Sequence, residues 1–237
     1  MKKLIILMMM FGSVYSQCLG DMNEDGIKDI LDIVNLVGDI LDGDDVCEEP
    51  ESSLCDGTEV ELWGQSYDIE STTSIDLWGQ GLTGSIPPEI GCLTNLTYLS
   101  LENTQLIGEI PPEIGALTNL WGLYIQHNSL TGGIPSEIGN LMNVSHLYIQ
   151  HNSLTGVIPP EIGNLKTNLD FLYLNDNLLS GSIPQEVGSL TTLVWLVLSN
   201  NQLTGEIPQE VCDLIQSNTS INIDEITEGN DLINTCE

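Results

Sequence analysis

The residues best spaced for chemistry lie near the start of the chain. The stretch Asp21-Met22-Asn23-Glu24-Asp25-Gly26-Ile27-Lys28-Asp29-Ile30-Leu31-Asp32 sets side-chain oxygens at positions 1, 3, 5, 9 and 12 of a 12-residue loop. Gly26 permits a sharp turn at position 6, and Ile27 offers its backbone carbonyl at position 7. Oxygen donors in this order wrap a hard cation of the size of Ca2+. Asp21, Asn23, Asp25, Ile27, Asp29 and Asp32 are therefore the expected ligands, and Ca2+ is the expected cofactor. Asp32 stands where a bidentate Glu is usual. Downstream, Ile30, Leu31, Ile33, Val34, Val37, Ile40 and Leu41 make one side of a helix apolar, which would anchor the loop.

This EF-hand-like loop resembles one half of a dockerin, the calcium module that joins polysaccharide-degrading enzymes to scaffold cohesins. The resemblance implies calcium binding over residues 17–47. It does not extend to docking: Asp39 to Asp45 does not repeat the loop, and positions 10 and 11, often a polar contact pair, are Ile30 and Leu31.

Other reactive side chains are few. Six cysteines allow fifteen pairings. Their positions suggest three local staples, Cys18–Cys47, Cys55–Cys92 and Cys212–Cys236, each closing one end of a unit. No C-x-x-C pair supports a thiol redox centre or a zinc site. His127, His146 and His151 could lie on neighbouring strands, close enough to share a transition metal, but His127 and His151 occupy equivalent places in near-copied segments. No Ser-His-Asp set, phosphate loop or cofactor fingerprint occurs. The chain is not expected to be an enzyme.

The elements that position these residues follow a repeat. Ile86-Pro87, Ile110-Pro111, Ile134-Pro135, Ile158-Pro159, Ile183-Pro184 and Ile207-Pro208 recur every 24 residues, with one 25-residue step around Lys166-Thr167. Each unit reads L-x-L-x-x-N-x-L-x-G-x-I-P-x-x-I-G-x-L with small variations. Apolar pairs such as Leu99 and Leu101 alternate with outward residues, which is the period of a strand with one buried face. Asn128, Asn152, Asn177 and Asn201 can turn inward to satisfy buried backbone groups, with Gln80 and Thr104 in that place earlier. Gly84 and its equivalents permit a bend, and Ile-Pro fixes extended backbone after it.

The repeat resembles the plant-type leucine-rich repeat, the L-x-G-x-I-P variety of plant receptor ectodomains and polygalacturonase-inhibiting proteins. The resemblance covers residues 74–214. It implies an α/β-type repeat solenoid of six 24-residue repeats, with a parallel sheet on the concave face and caps at both ends. Residues 48–73 are read as linker and N-terminal cap, Leu62-Trp63-Gly64-Gln65 foreshadowing Leu77-Trp78-Gly79-Gln80. Residues 215–237 are read as the C-terminal cap, with Ile221 to Ile223 as a final strand.

Strand alternation then assigns the outward face. Its central column is Asp76, Ser100, Tyr124, Tyr148, Tyr173 and Val197, preceded by Ser74, Tyr98, Gly122, His146, Phe171 and Trp195. Beyond it come Trp78, Glu102, Gln126, Gln150, Asn175 and Ser199, then Gly79, Asn103, His127, His151, Asp176 and Asn200. Exposed aromatics in a row offer large contact area at small entropic cost. Trp78, Tyr98, Tyr124, His127, His146, Tyr148, His151, Phe171, Tyr173 and Trp195 are therefore the candidate ligand-binding residues. Glu89, Glu113, Glu137, Glu161, Glu186 and Glu210 form a same-sign column elsewhere, which suits a solvated surface better than acid–base chemistry.

Residues 1–16 read as an export signal: Lys2-Lys3, an apolar run from Leu4 to Phe11, and Val14-x-Ser16 before the cut. The run is too short to span a bilayer. Beyond it, 35 acidic residues stand against Lys28 and Lys166, and arginine is absent. Such a field repels nucleic acid and anionic lipid. A secreted, calcium-stabilised binding protein is the expectation. Its ligand would be a protein or peptide, with polysaccharide, as part of a breakdown assembly, the alternative; no nucleic-acid or membrane-inserted partner is expected.

Overall fold

The structure, a computed structural model, describes residues 54–236 with the exception of residue 56. The export signal, the Asp21–Asp32 loop and the Cys18–Cys47 pairing lie outside the described residues.

Three-residue strands recur once per repeat: Ser74–Asp76, Tyr98–Ser100, Gly122–Tyr124, His146–Tyr148, Phe171–Tyr173 and Trp195–Val197. They form one six-stranded parallel sheet in sequence order. The middle residue of each points inward, and Ile75, Leu99, Leu123, Leu147, Leu172 and Leu196 are all buried. The next inward residue is Leu or Ile again, so each repeat adds a layer to one continuous apolar core. Fully burying such a side chain contributes about 1.5–3 kcal/mol. No unit could supply that alone, and stacking supplies it to all of them.

Opposite the sheet, each Ile-Pro step opens a short 3-10 helix, with Pro held extended just before it (Pro111 φ −68°, ψ 141°). Pro88–Cys92, Pro112–Ala116, Ser136–Asn140 and Gln185–Ser189 have five residues, whereas Pro160–Leu165 has six and continues into Lys166 in the helical region. That longer turn absorbs the 25-residue step. In the sixth repeat an α-helix, Gln209–Ser217, takes the place of the 3-10 turn and runs past residue 214.

The inward asparagines bind the repeats together. Asn152 Nδ2 donates to the Ile125 and Ile149 carbonyls at 3.1 and 3.0 Å, and its Oδ1 accepts the Leu130 N–H at 3.1 Å. Asn128, Asn177 and Asn201 repeat the pattern. Thr104 substitutes by donating to Leu101 O, and Asn230 extends the ladder into the C-terminal cap. A second ladder escaped the sequence reading. Asn95, Asn119, Asn143 and Asn168 each donate to a carbonyl of the preceding repeat.

Both ends depart from the expected pattern. Leu62-Trp63-Gly64-Gln65 resembles the segment after the first repeat strand, yet it forms the turn of an antiparallel hairpin, Glu59–Leu62 with Gln65–Asp68. Trp63 and Gly64 take φ of 49° and 77°, the left-handed pair that suits a tight hairpin. Val60 and Leu62 of that hairpin cap the core. At the other end, Ile221 to Ile223 is not a strand. A short helix, Asp224–Thr227, stands there instead, and its Glu225 carbonyl accepts the N–H of both Leu198 and Ser199 at 2.8 Å. The last strand is Asp231–Ile233, paired with Gln202–Glu206 away from the six-stranded sheet. Disulfides Cys55–Cys92 and Cys212–Cys236 fasten the two caps.

Candidate functional site

Parallel pairing in strict register sets the outward side chains in columns. Tyr98, Gly122, His146, Phe171 and Trp195 pair across successive strands, as do Ser100, Tyr124, Tyr148, Tyr173 and Val197. These two of the four columns assigned from sequence are columns of the sheet.

The rings on them touch. Tyr98 lies 5.3 Å from Tyr124, Tyr124 is 5.1 Å from Tyr148, and Tyr148 is 4.7 Å from Tyr173. On the neighbouring column His146 stacks on Phe171 at 4.7 Å. Such spacing contributes about 0.5–1.5 kcal/mol per pair beyond area burial. Trp121, which sequence reasoning did not select, joins the group against Tyr98 at 5.5 Å and His146 at 5.3 Å. It precedes its strand by one residue, so strand alternation alone passed over it. Its signal was the adjacent glycine. A Cβ on Gly122 would come 2.6 Å from the Tyr124 ring, so Gly122 opens the space in which that ring lies.

Not every candidate joins the ridge. Among the described residues no ring contact ties Trp78 or Trp195 to it, although both are exposed. Trp78 instead lines an open recess of ≈ 320 Å³ with Asp76, Tyr98, Ser100 and Glu102. His127 and His151 stack on each other at 4.3 Å, beside the tyrosines. Their backbone explains their residue types: Asn103, His127, His151, Asp176 and Asn200 all have φ between 52° and 56°. Asn, Asp and His tolerate that left-handed region better than other non-glycine residues. His151 Nδ1 is 3.5 Å from the Asp176 carboxylate. The histidines do not converge, and among the described residues no three His, Cys, Asp or Glu side chains form a metal-binding group.

Packing changes the titration of the ridge. Burial, helped by the neighbouring Tyr148 and Tyr98, pushes the Tyr124 phenol up to about 12. Burial also raises Tyr148 and Tyr173, the latter further through Glu225. His146 is lowered by burial, against an opposing pull from Asp170. At neutral pH the ridge is thus an uncharged aromatic strip. The glutamate column lies on the 3-10 helices, away from it.

The Leucine Rich Repeat family matches residues 95–117, 119–141, 143–165, 168–190 and 192–214. No curated protein matches the sequence. Among solved structures, the plant peptide hormone receptor RGFR1 in complex with RGF2 is 38% identical, covering 68% of this chain and 28% of that one at a TM-score of 0.53. The Arabidopsis receptor kinase HAESA, in complex with the peptide hormone IDA and the co-receptor SERK1, is 34% identical over 70% of this chain and 28% of its own, at 0.57. A plant ice-binding protein is 30% identical over 73% and 60%, at 0.55. The chain therefore spans little more than a quarter of the two receptor chains.

Proposed function

Residues 95–214 are a leucine-rich-repeat solenoid, and from that premise we propose that the chain is an exported binding protein whose six-stranded face takes a protein or peptide ligand. One observation carries the reading: the unbroken contact of rings from Tyr98 to Tyr173 across neighbouring strands. Hot spots of protein interfaces are aromatic, central and clustered. The fold does not by itself select a ligand, since a plant ice-binding protein shares it with peptide-hormone receptors. The chemistry of the face does. Tyr124 meets Tyr148 at 75° and Tyr148 meets Tyr173 at 60°, so ring edges already occupy faces that a stacked sugar would need. That arrangement favours a peptide over polysaccharide.

The test begins with peptides selected from a display library on the mature protein. Tyr148→Ala should weaken a selected peptide by more than about tenfold, the scale of an anchor residue worth ~1.4 kcal/mol or more. Glu137→Gln with Glu161→Gln should leave binding unchanged. Full binding by a folded Tyr124→Ala/Tyr148→Ala/Tyr173→Ala variant would end the reading.

On its spacing alone, the Asp21–Asp32 loop is proposed as a calcium site. Calorimetric titration of the mature protein with Ca2+ should show a binding heat that Asp32→Ala removes; unchanged heat in that variant would reject the ligand set.

A further inference from the structure

A second row of atoms runs beside the tyrosines. Gln126 Oε1, Gln150 Oε1 and Asn175 Oδ1 are buried and accept no hydrogen bond, and the same holds for Glu225 Oε2. Gln126 is only 5% exposed. The first three residues stand two positions after Tyr124, Tyr148 and Tyr173 on strands that pair in register. Glu225 stands at the closed edge, where its carbonyl receives the N–H groups of the last repeat. Folded proteins seldom leave buried acceptors unpaired. Three of them lie along one side of the ridge, and Glu225, whose carbonyl follows those of Tyr148, Tyr173 and Val197 in the strand-to-strand series, stands at its end.

Two of the four are fixed as acceptors by their surroundings. Asn175 Nδ2 donates to the Asp176 carboxylate at 2.5 Å, so its oxygen faces the other way. Glu225 is a carboxylate and has no amide to turn. Apart from His146 Nδ1, every buried unpartnered side-chain atom among the described residues is an acceptor. The charge around the row agrees. Lys166 is the single Lys or Arg among the described residues, and it lies exposed in the turn after Pro160–Leu165 rather than on the sheet.

We propose that this face selects a basic peptide segment, whose Lys or Arg heads draw these side-chain oxygens outward and donate to them while their apolar stems lie along the tyrosine ridge. Lys and Arg are donors without acceptor capacity. A segment rich in Asp or Glu would bring further acceptors to a row that already lacks donors, within an acidic field. The inference rests on the six-stranded face being the binding surface.

Fluorescence anisotropy of labelled oligo-arginine, oligo-serine and oligo-glutamate peptides tests it, with the mature protein at physiological ionic strength. Oligo-arginine should bind and the other two should not. Gln126→Leu with Gln150→Leu should weaken it by at least about tenfold, and thermal stability should hold or rise, because an unpaired buried acceptor is removed. Glu225→Gln, which keeps shape and loses charge, should weaken binding several-fold; no loss there overturns the role of the row. Glu137→Gln with Glu161→Gln should change binding less than about twofold; an equal loss would assign the attraction to net charge and overturn the proposal. Absence of oligo-arginine binding also overturns it. Library-selected peptides separate the two readings. If they depend on Tyr148, lack basic residues and are not displaced by oligo-arginine, the surface stands and the basic preference falls. If no selected peptide depends on Tyr148, the surface itself falls.

Discussion

Single residues hold this protein at its buried polar points. Asn152 bonds backbone groups of two repeats, and in Asn152→Ala the Leu130 N–H is left unpaired, whereas the Ile125 and Ile149 carbonyls keep Asn128 and Asn177 as donors. One buried orphan costs ~1–3 kcal/mol, and a loss of that size in urea denaturation is expected. Asn143→Ala, which removes one exposed bond to Thr118 O, should cost less than about 1 kcal/mol. Tyrosine titration offers a second measurement at this scale. Tyr124, Tyr148 and Tyr173 ionise above the ordinary value of 10.0, with Tyr124 near 12. Their folded values are raised, so the stability they contribute is complete below pH 10 and fades as pH climbs toward 12. Phenolate absorbance of the folded protein should show a late fraction that Tyr124→Phe reduces; a single transition near pH 10 would contradict the packing. The inward Asn positions and the tyrosine columns were legible because period 2 and a 24-residue repeat fix which side chains face in. The unpaired state of Gln126 and Gln150 was not, since it depends on which neighbours fail to reach them.

Elements meet most tightly between consecutive 3-10 helices. A Cβ on Gly115, Gly139 or Gly163 would come within 2.4–2.8 Å of the Glu137, Glu161 or Glu186 carbonyl oxygen and Cβ of the next repeat. The I-G dipeptide is therefore a packing requirement, and the glutamate column is the surface it packs against. Gly139→Ala must push two repeats apart and should destabilise by about 1–3 kcal/mol, the usual scale of overpacking. Asn140→Ala, one residue along the same helix and exposed, is the control; equal effects would show that the contact does not bear on stability. Repetition also sets what sequence can disclose about elements. Inside the array each repeat reports on its neighbours, and the strands and the 25-residue step follow, whereas the 3-10 form of the turns is disclosed only by the structure. At the ends that information stops. Trp63-Gly64 copies Trp78-Gly79 in residue type but turns a hairpin, because among the described residues no repeat precedes it to receive it. Ile221 to Ile223 has strand composition, yet a helix is what brings Glu225 O to the open edge.

For the molecule as a whole, the ends decide whether the array stays solitary. A parallel sheet finishing in an uncovered strand would offer free N–H and C=O groups to another copy. The C-terminal cap prevents this by giving Leu198 and Ser199 the Glu225 carbonyl, giving Asn200 the Glu228 carbonyl, and pairing Asp231–Ile233 with Gln202–Glu206. The Cys212–Cys236 bridge ties that segment to the Gln209–Ser217 helix across 24 residues. Two variants separate holding the cap from having it. Cys212→Ser with Cys236→Ser should remain monomeric and lose ~2–4 kcal/mol, as expected for opening a loop of this size. Truncation after Ser217 removes the edge cover itself, and light scattering should then show concentration-dependent association. High acidity opposes that association, and salt screens it, so the truncated chain should associate more strongly as ionic strength rises. A truncated protein that stays monomeric at high salt would mean that charge, not the cap, keeps the edges apart.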